Sequence, residues 1–260
     1  MKLFKQFRID INRLLMVVVG IVVIVIIIFL FWWNKSFRVG GDSEGSQAKN
    51  ISSISGLNCD NYDRRAVAVM LASDPVARPL SGISAADLVI EMPVTPDGIT
   101  RLMAIYQCEN PNEIGSVRSA RKDFVPLAAA FNAVYAHWGG EHGILAELNK
   151  HIIDNLNALT DPGQAFFRKS GIQAPHNGFT SFDKINDAVA KLNYDMADTF
   201  VGYLHSSAKP ARSLSNIADT VIVDYPVPYS VAWTYSEASN TYVRDRGNKP
   251  EIDRNNGQQV

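Results

Sequence analysis

Residues 98–121 read GITRLMAIYQCENPNEIGSVRSAR, and this stretch decides the architecture. Leu102, Ala104 and Tyr106 alternate with Met103 and Ile105, so a strand built here is largely apolar on both faces. Strands of that kind run inside a sheet that is covered on two sides. Arg101 opens the strand, and Arg118, Ser119 and Arg121 follow its return loop. Three guanidiniums beside one buried strand need partners, and Glu109 and Glu113 are the only acids within the stretch. Such a cluster points to anion recognition. The competing reading spends the arginines on structural ion pairs with Glu91 and Asp123.

Outward from this strand the pattern alternates between strand and helix. Residues 66–71 (AVAVML) and 87–92 (DLVIEM) read as strands, the first closed by the turn Ser73-Asp74-Pro75. Ser84 reads as the N-cap of a single helical turn. Downstream, a short helix starts either at Asp123, with Pro126 in its first turn, or at Ser119 with a kink. Both versions set the arginines at a helix N-terminus, which favours anions. Residues 132–138 (NAVYAHW) form a strand that stops at Gly139-Gly140, and a helix over 141–150 carries Ile144, Leu145 and Leu148 on one face. His137 therefore ends a strand facing a glycine turn, a place where open α/β layers hold ligands. Phe166-Phe167-Arg168 and Pro175-His176-Asn177-Gly178 belong to a long loop. Ser181 caps a helix that runs to Leu192. Beyond residue 214, short strands at 220–223, 230–235 and 241–244 make a small β-rich unit. It breaks off at Val260 where another strand is expected, so the unit reads as incomplete.

The 260 residues are 47% hydrophobic, enough for a sizeable core. A net charge of −1 and the lack of any nucleic-acid motif speak against nucleic-acid binding. Residues 14–33 hold no charge and are long enough to span a hydrocarbon core of about 30 Å. Lys2, Lys5, Arg8 and Arg13 precede them, which predicts an uncleaved anchor with its N-terminus in the cytoplasm and the rest of the chain outside. The lipid bilayer is then one partner. Residues 36–55, rich in Gly, Ser, Asn and Gln, read as a flexible linker. In that oxidising compartment Cys59 and Cys108 can bridge if the strands near them are antiparallel neighbours.

The chain resembles the YerB-like bacterial envelope lipoproteins, a family of unknown function with separate N-terminal and C-terminal domains. The resemblance is carried by Ala77-Arg78-Pro79-Leu80-Ser81-Gly82, Glu91, Gly98-Ile99-Thr100-Arg101, Val117-Arg118-Ser119-Ala120-Arg121, His137, Phe167-Arg168 and Pro175-His176-Asn177. It continues through Trp233-Thr234-Tyr235 and Tyr242-Val243-Arg244 to Asp253 and Gly257. It implies an envelope location and a two-domain architecture, but no reaction. Where lipoprotein members have a lipid-modified cysteine, this chain has the apolar segment.

Three enzyme readings compete with binding. Ser119-Ala120-Arg121-Lys122 is an S-x-x-K, but Lys169-Ser170-Gly171 follows too soon for a penicillin-binding fold. His137, Glu141 and His142 come close to a zinc spacing that the glycine pair breaks, so no metal or cofactor is expected. A cell-wall hydrolase would use His137 or His176 as general base with Glu91, and the arginines as an oxyanion clamp. The binding reading takes Arg101, Arg118, Ser119, Arg121, His137, Arg168, His176 and Asn177 as recognising an anionic cell-wall polymer or peptide. A scaffold acting on an envelope protein partner fits the same residues. The expected fold is α+β: anchor 1–35, linker 36–55, a mixed-sheet main domain 56–213, and the β-rich unit 214–260.

Overall fold

The computed structural model describes residues 50–206 and 218–260, with isolated positions 22, 24–26 and 29. Residues 49–260 form one compact unit and residues 1–48 another. In the latter, Val22, Ile24, Val25, Ile26 and Phe29 are helical and exposed. The rest of the expected anchor, 14–33, lies outside the described residues. Among the described residues no helix is long and apolar enough to cross a membrane.

The fold of residues 50–260 is α+β and mostly sheet. Its main sheet has five strands in the order β2 (Leu88–Pro93), β3 (Thr100–Tyr106), β1 (Val67–Ala72), β5 (Val134–His137) and β6 (Asn155–Asn157). β1 runs antiparallel to β3 and parallel to β5. Every residue of β1 and β3 is buried, because helices cover both faces as the double apolar alternation requires. On one face Val69, Leu71, Leu102, Ala104 and Tyr106 join Phe182, Ile185 and Ala188 of helix α3 (Phe182–Lys191). On the other, Met70, Met103 and Ile105 meet Val125 and Ala128 of helix α1 (Val125–Ala130) and Ile144 and Leu148 of helix α2 (His142–Leu148). Each such large side chain contributes about 1.5–3 kcal/mol on burial. The Ser181 hydroxyl caps α3 by accepting the Lys184 N–H at 3.3 Å.

The other two sheets are smaller. β4 (Ile114–Gly115), β8 (Gly178–Thr180) and β7 (Phe166–Arg168) form a three-stranded sheet within what the sequence presents as loop. Strands of two or three residues are too short to display an alternating pattern. The C-terminal sheet has the order β12 (Lys249–Pro250), β11 (Thr241–Arg246), β10 (Val231–Ser236), β9 (Thr220–Val223), all antiparallel. Its last hairpin turns at Gly247-Asn248, both at positive φ, and extends β11 to Arg246.

Local expectations fail in three places. Ser84 sits inside a 3-10 turn capped by Gly82, and its hydroxyl donates to Asp253 instead. The arginine segment leads into a 3-10 turn, Lys122–Phe124, before the six-residue α1, so no sustained helix dipole faces it. Residues 50–55, within the expected linker, are held down: the hydroxyls of Ser52, Ser53 and Ser55 donate to Gln107, Asp198 and Asp87 at 2.6, 2.9 and 2.6 Å. Close by, Cys59 and Cys108 form a disulfide with Cα atoms 5.6 Å apart.

Candidate functional site: an arginine cluster at the end of the central strand

Arg101 opens β3 opposite Ala72, the last residue of β1. Beyond β4, residues 116–118 run antiparallel beside that same strand end. The Ala72 N–H donates to Ser116 O at 3.0 Å and the Arg118 N–H to Met70 O at 2.8 Å. Arg118 thus stands opposite Met70, which stands opposite Met103, two residues from Arg101. Pleating sends both arginine side chains to the face that carries Met70 and Met103. The same register sets Glu91 opposite Leu102 and hence on the other face. Glu91 therefore cannot neutralise Arg101.

The counter-ion of Arg101 is Asp74, just past the end of β1, with Nη1 to Oδ2 at 3.2 Å. Arg121 donates to Ala120 O at 3.1 Å, and its Nε lies 3.9 Å from the exposed Glu141 carboxylate. His176 comes from the turn between β7 and β8, where Arg118 reaches Pro175 O at 3.4 Å. Gly178 lets that turn pass tightly, since a Cβ there would lie 2.4 Å from the Trp138 ring. Burial pushes the Arg101 pKa down; Asp74 opposes this, and the Arg118 and Arg121 charges add to it. Burial and then Arg118 likewise depress His176. These mutual effects mark Arg101, Arg118, Arg121 and His176 as neighbours.

Buried polar atoms without a partner gather at this place: Nε of Arg101, Arg118 and Arg121, Oγ of Ser116, Oη of Tyr135 and Nδ1 of His176. The Tyr135 hydroxyl faces the Arg121 backbone outside hydrogen-bond geometry. Native interiors leave few such groups, because each unmet donor costs about 1–3 kcal/mol. Arg118, Ser119, Arg121 and His176 are half-buried, so the cluster reaches the surface.

The other expected residues are placed elsewhere. His137 is fully buried, its Nδ1 2.8 Å from Gly139 O and its Nε2 3.3 Å from Asn155 Oδ1. Burial depresses its pKa against the opposing Gly139 and Asn155 contacts, and with both ring nitrogens facing core partners it is a structural histidine. Arg168 and Asn177 pair at 2.6 Å, with the guanidinium 4.5 Å above the Trp138 ring. Glu113 is taken by Lys169 at 2.7 Å. Among the described residues no set of three His, Cys, Asp or Glu side chains is placed to hold a metal ion.

Glu91 belongs to a second arginine group. It accepts from Thr100, from Arg244 and, through both oxygens at 2.6 Å, from Arg246. Glu251 pairs with Arg78, Arg244 and Arg246. This clasp ties the C-terminal sheet to β2 and leaves Glu91 no free oxygen to orient a histidine, which removes the acid of the hydrolase scheme. A cavity of about 510 Å³ borders it, lined by Pro75, Pro79, Pro228 and Pro250 among others. Arg246 Nε, Arg244 Nη1 and the Glu251 oxygens also lack a hydrogen bond of good geometry, but each of these side chains lies within ion-pair distance of an opposite charge, so charge is balanced here as it is not in the first cluster.

Sequence reasoning missed Asp74, Ser116, Tyr135 and Tyr229. Asp74 was within reach: if β1 and β3 pair antiparallel, the end of one meets the start of the other. Tyr229 offered no signal. It lies beside Asp74 and Arg101, and burial followed by the Asp74 charge raises its pKa.

These features define an α+β protein, mostly sheet, with a cationic cluster at the carboxyl end of its central strand. The chain belongs to the family described as "Protein of unknown function (DUF3048) N-terminal domain", whose model matches residues 54–195. It is similar to the Bacillus subtilis (strain 168) protein named "Putative lipoprotein YerB", with 36% identity over 203 residues. That match covers 76% of this chain and 60% of the relative, so the chain spans about three fifths of its length. A crystal structure of the YerB protein from Bacillus subtilis matches with a TM-score of 0.70 at 30% identity, covering 81% of this chain and 71% of that one.

Proposed function

We propose that this chain is an extracytoplasmic anion-binding module of the bacterial envelope. In this reading residues 14–33 anchor it in the cytoplasmic membrane with the N-terminus inside. The main domain, 56–213, presents Arg101, Arg118, Arg121 and His176 to an anionic cell-wall polymer or peptide, and 214–260 forms a second unit. The observation that carries the reading is the gathering of unmet buried donors at one strand end, where three guanidiniums face a single close carboxylate. A relative named as a lipoprotein supports the envelope location.

The test is co-sedimentation of the full chain, in detergent, with purified cell-wall sacculi, followed by mass spectrometry of the supernatant. Retention that drops at least tenfold in Arg118→Ala and Arg121→Ala, with no released fragments, is the expected result. Retention unchanged in both variants sinks the reading. Fragments that vanish in His176→Ala would make the protein a wall hydrolase instead.

A further inference from the structure

The charge and shape of the cluster narrow its ligand. Three guanidiniums, from Arg101, Arg118 and Arg121, stand against the Asp74 carboxylate, an excess of two positive charges. Glu141 is exposed and 3.9 Å away, so solvent screens most of its effect. The unmet groups come from three separate segments of the chain. Arg101 leaves from β3, Ser116 and Arg118 from the segment beside β1, and His176 from the β7–β8 turn. One guanidinium fork satisfies most of a carboxylate, which is planar and carries one charge. A phosphate monoester carries close to two charges at neutral pH and three strong acceptor oxygens directed apart.

We infer that the cluster takes a terminal phosphate in its dianionic form, rather than a carboxylate or a phosphodiester. The inference rests on the anion-binding reading and specifies its ligand. Arg101 is the buried floor: only 5% exposed, it donates one Nη to Asp74 and keeps its Nε unmet. Arg118 and Arg121, half-buried, are the groups a phosphate entering from solvent meets first. Ser116, two residues before Arg118, adds a neutral hydroxyl donor. The phosphate could terminate a wall polymer or belong to a small soluble ester; the chemistry at the cluster is the same.

Isothermal titration of the full chain in detergent at pH 7.5 tests this with three probes: inorganic phosphate, dimethyl phosphate and acetate. Phosphate is expected to bind at least tenfold more tightly than the other two. Its affinity is expected to fall as the pH is lowered through the second ionisation of phosphate, where the dianion is lost. Arg118→Gln should weaken phosphate at least tenfold. Ser116→Ala, which removes no charge, should weaken it severalfold and guards against misfolding of the arginine variant. Acetate or dimethyl phosphate binding as tightly as phosphate overturns the inference. Absence of binding by all three probes while sacculi are still retained overturns the phosphate and leaves the broader reading standing. Loss of both overturns both.

Discussion

The molecule holds two groups of three arginines, and they are built to opposite ends. In the clasp, Arg78, Arg244 and Arg246 face two carboxylates, Glu91 and Glu251, with every one of these side chains at most 17% exposed. At the strand-end cluster, Asp74 pairs with Arg101, Arg121 has only the exposed Glu141 at 3.9 Å, and Arg101, Arg118 and Arg121 each keep an Nε without a hydrogen bond. A count of arginines does not separate the two. The supply of acceptors does: the clasp is an internal salt lattice that joins sheets, and the cluster is short of acceptors. Even in the clasp, burial, with Arg246 next to it, pulls the Arg244 pKa down to about 10.

The largest expected effect lies in the clasp. Glu251→Gln leaves buried guanidiniums uncompensated and should cost about 3–5 kcal/mol of stability, read from urea unfolding. A loss under about 1 kcal/mol would show that the lattice is not structural and collapse the distinction.

An intermediate effect separates the regions by pH. His137 is buried with a depressed pKa, so the unfolded chain binds its proton more readily than the folded one. Stability then falls as the pH drops below about 6.5, by up to about 1.4 kcal/mol for each tenfold loss of proton affinity in the folded state. His137→Asn should flatten the slope of unfolding free energy between pH 7 and pH 5. A slope that survives the substitution would assign acid sensitivity to other groups. The smallest effect is expected at the cluster itself. Arg118→Met should change stability by no more than about 0.5 kcal/mol in phosphate-free buffer while abolishing anion binding, as judged by paired denaturation and titration. A loss of several kcal/mol would make Arg118 a structural cation like those of the clasp.

The core of the fold was legible where a pattern ran long enough to repeat. The alternation through Leu102, Ala104 and Tyr106 located a buried strand and both of its covered faces, and Ser181 located the start of α3. The three-stranded sheet was hidden because strands of two and three residues carry no period. At the candidate site, Arg101, Arg118, Arg121 and His176 could be picked out by type, and the structure brings them together. Glu91 and His137 were attractive for the same reason, but residue type says nothing of the face on which a side chain emerges. One step of register sends Glu91 to the C-terminal sheet and leaves Arg101 to Asp74. Tyr229 came to the cluster through long-range packing, which local sequence does not encode.

The disulfide between Cys59 and Cys108 also has a mechanical consequence. It closes residues 60–107 into a covalent loop that contains β1, β2 and β3. Tension entering from the N-terminal side passes from Cys59 to Cys108 through sulfur, so the backbone of these three strands carries none of that load. Asp74, Glu91 and Arg101 lie inside the shunted loop, while Arg118, Arg121 and His176 lie beyond it. Under force, the floor of the cluster would keep its shape, and the residues at its mouth would be the first to give way.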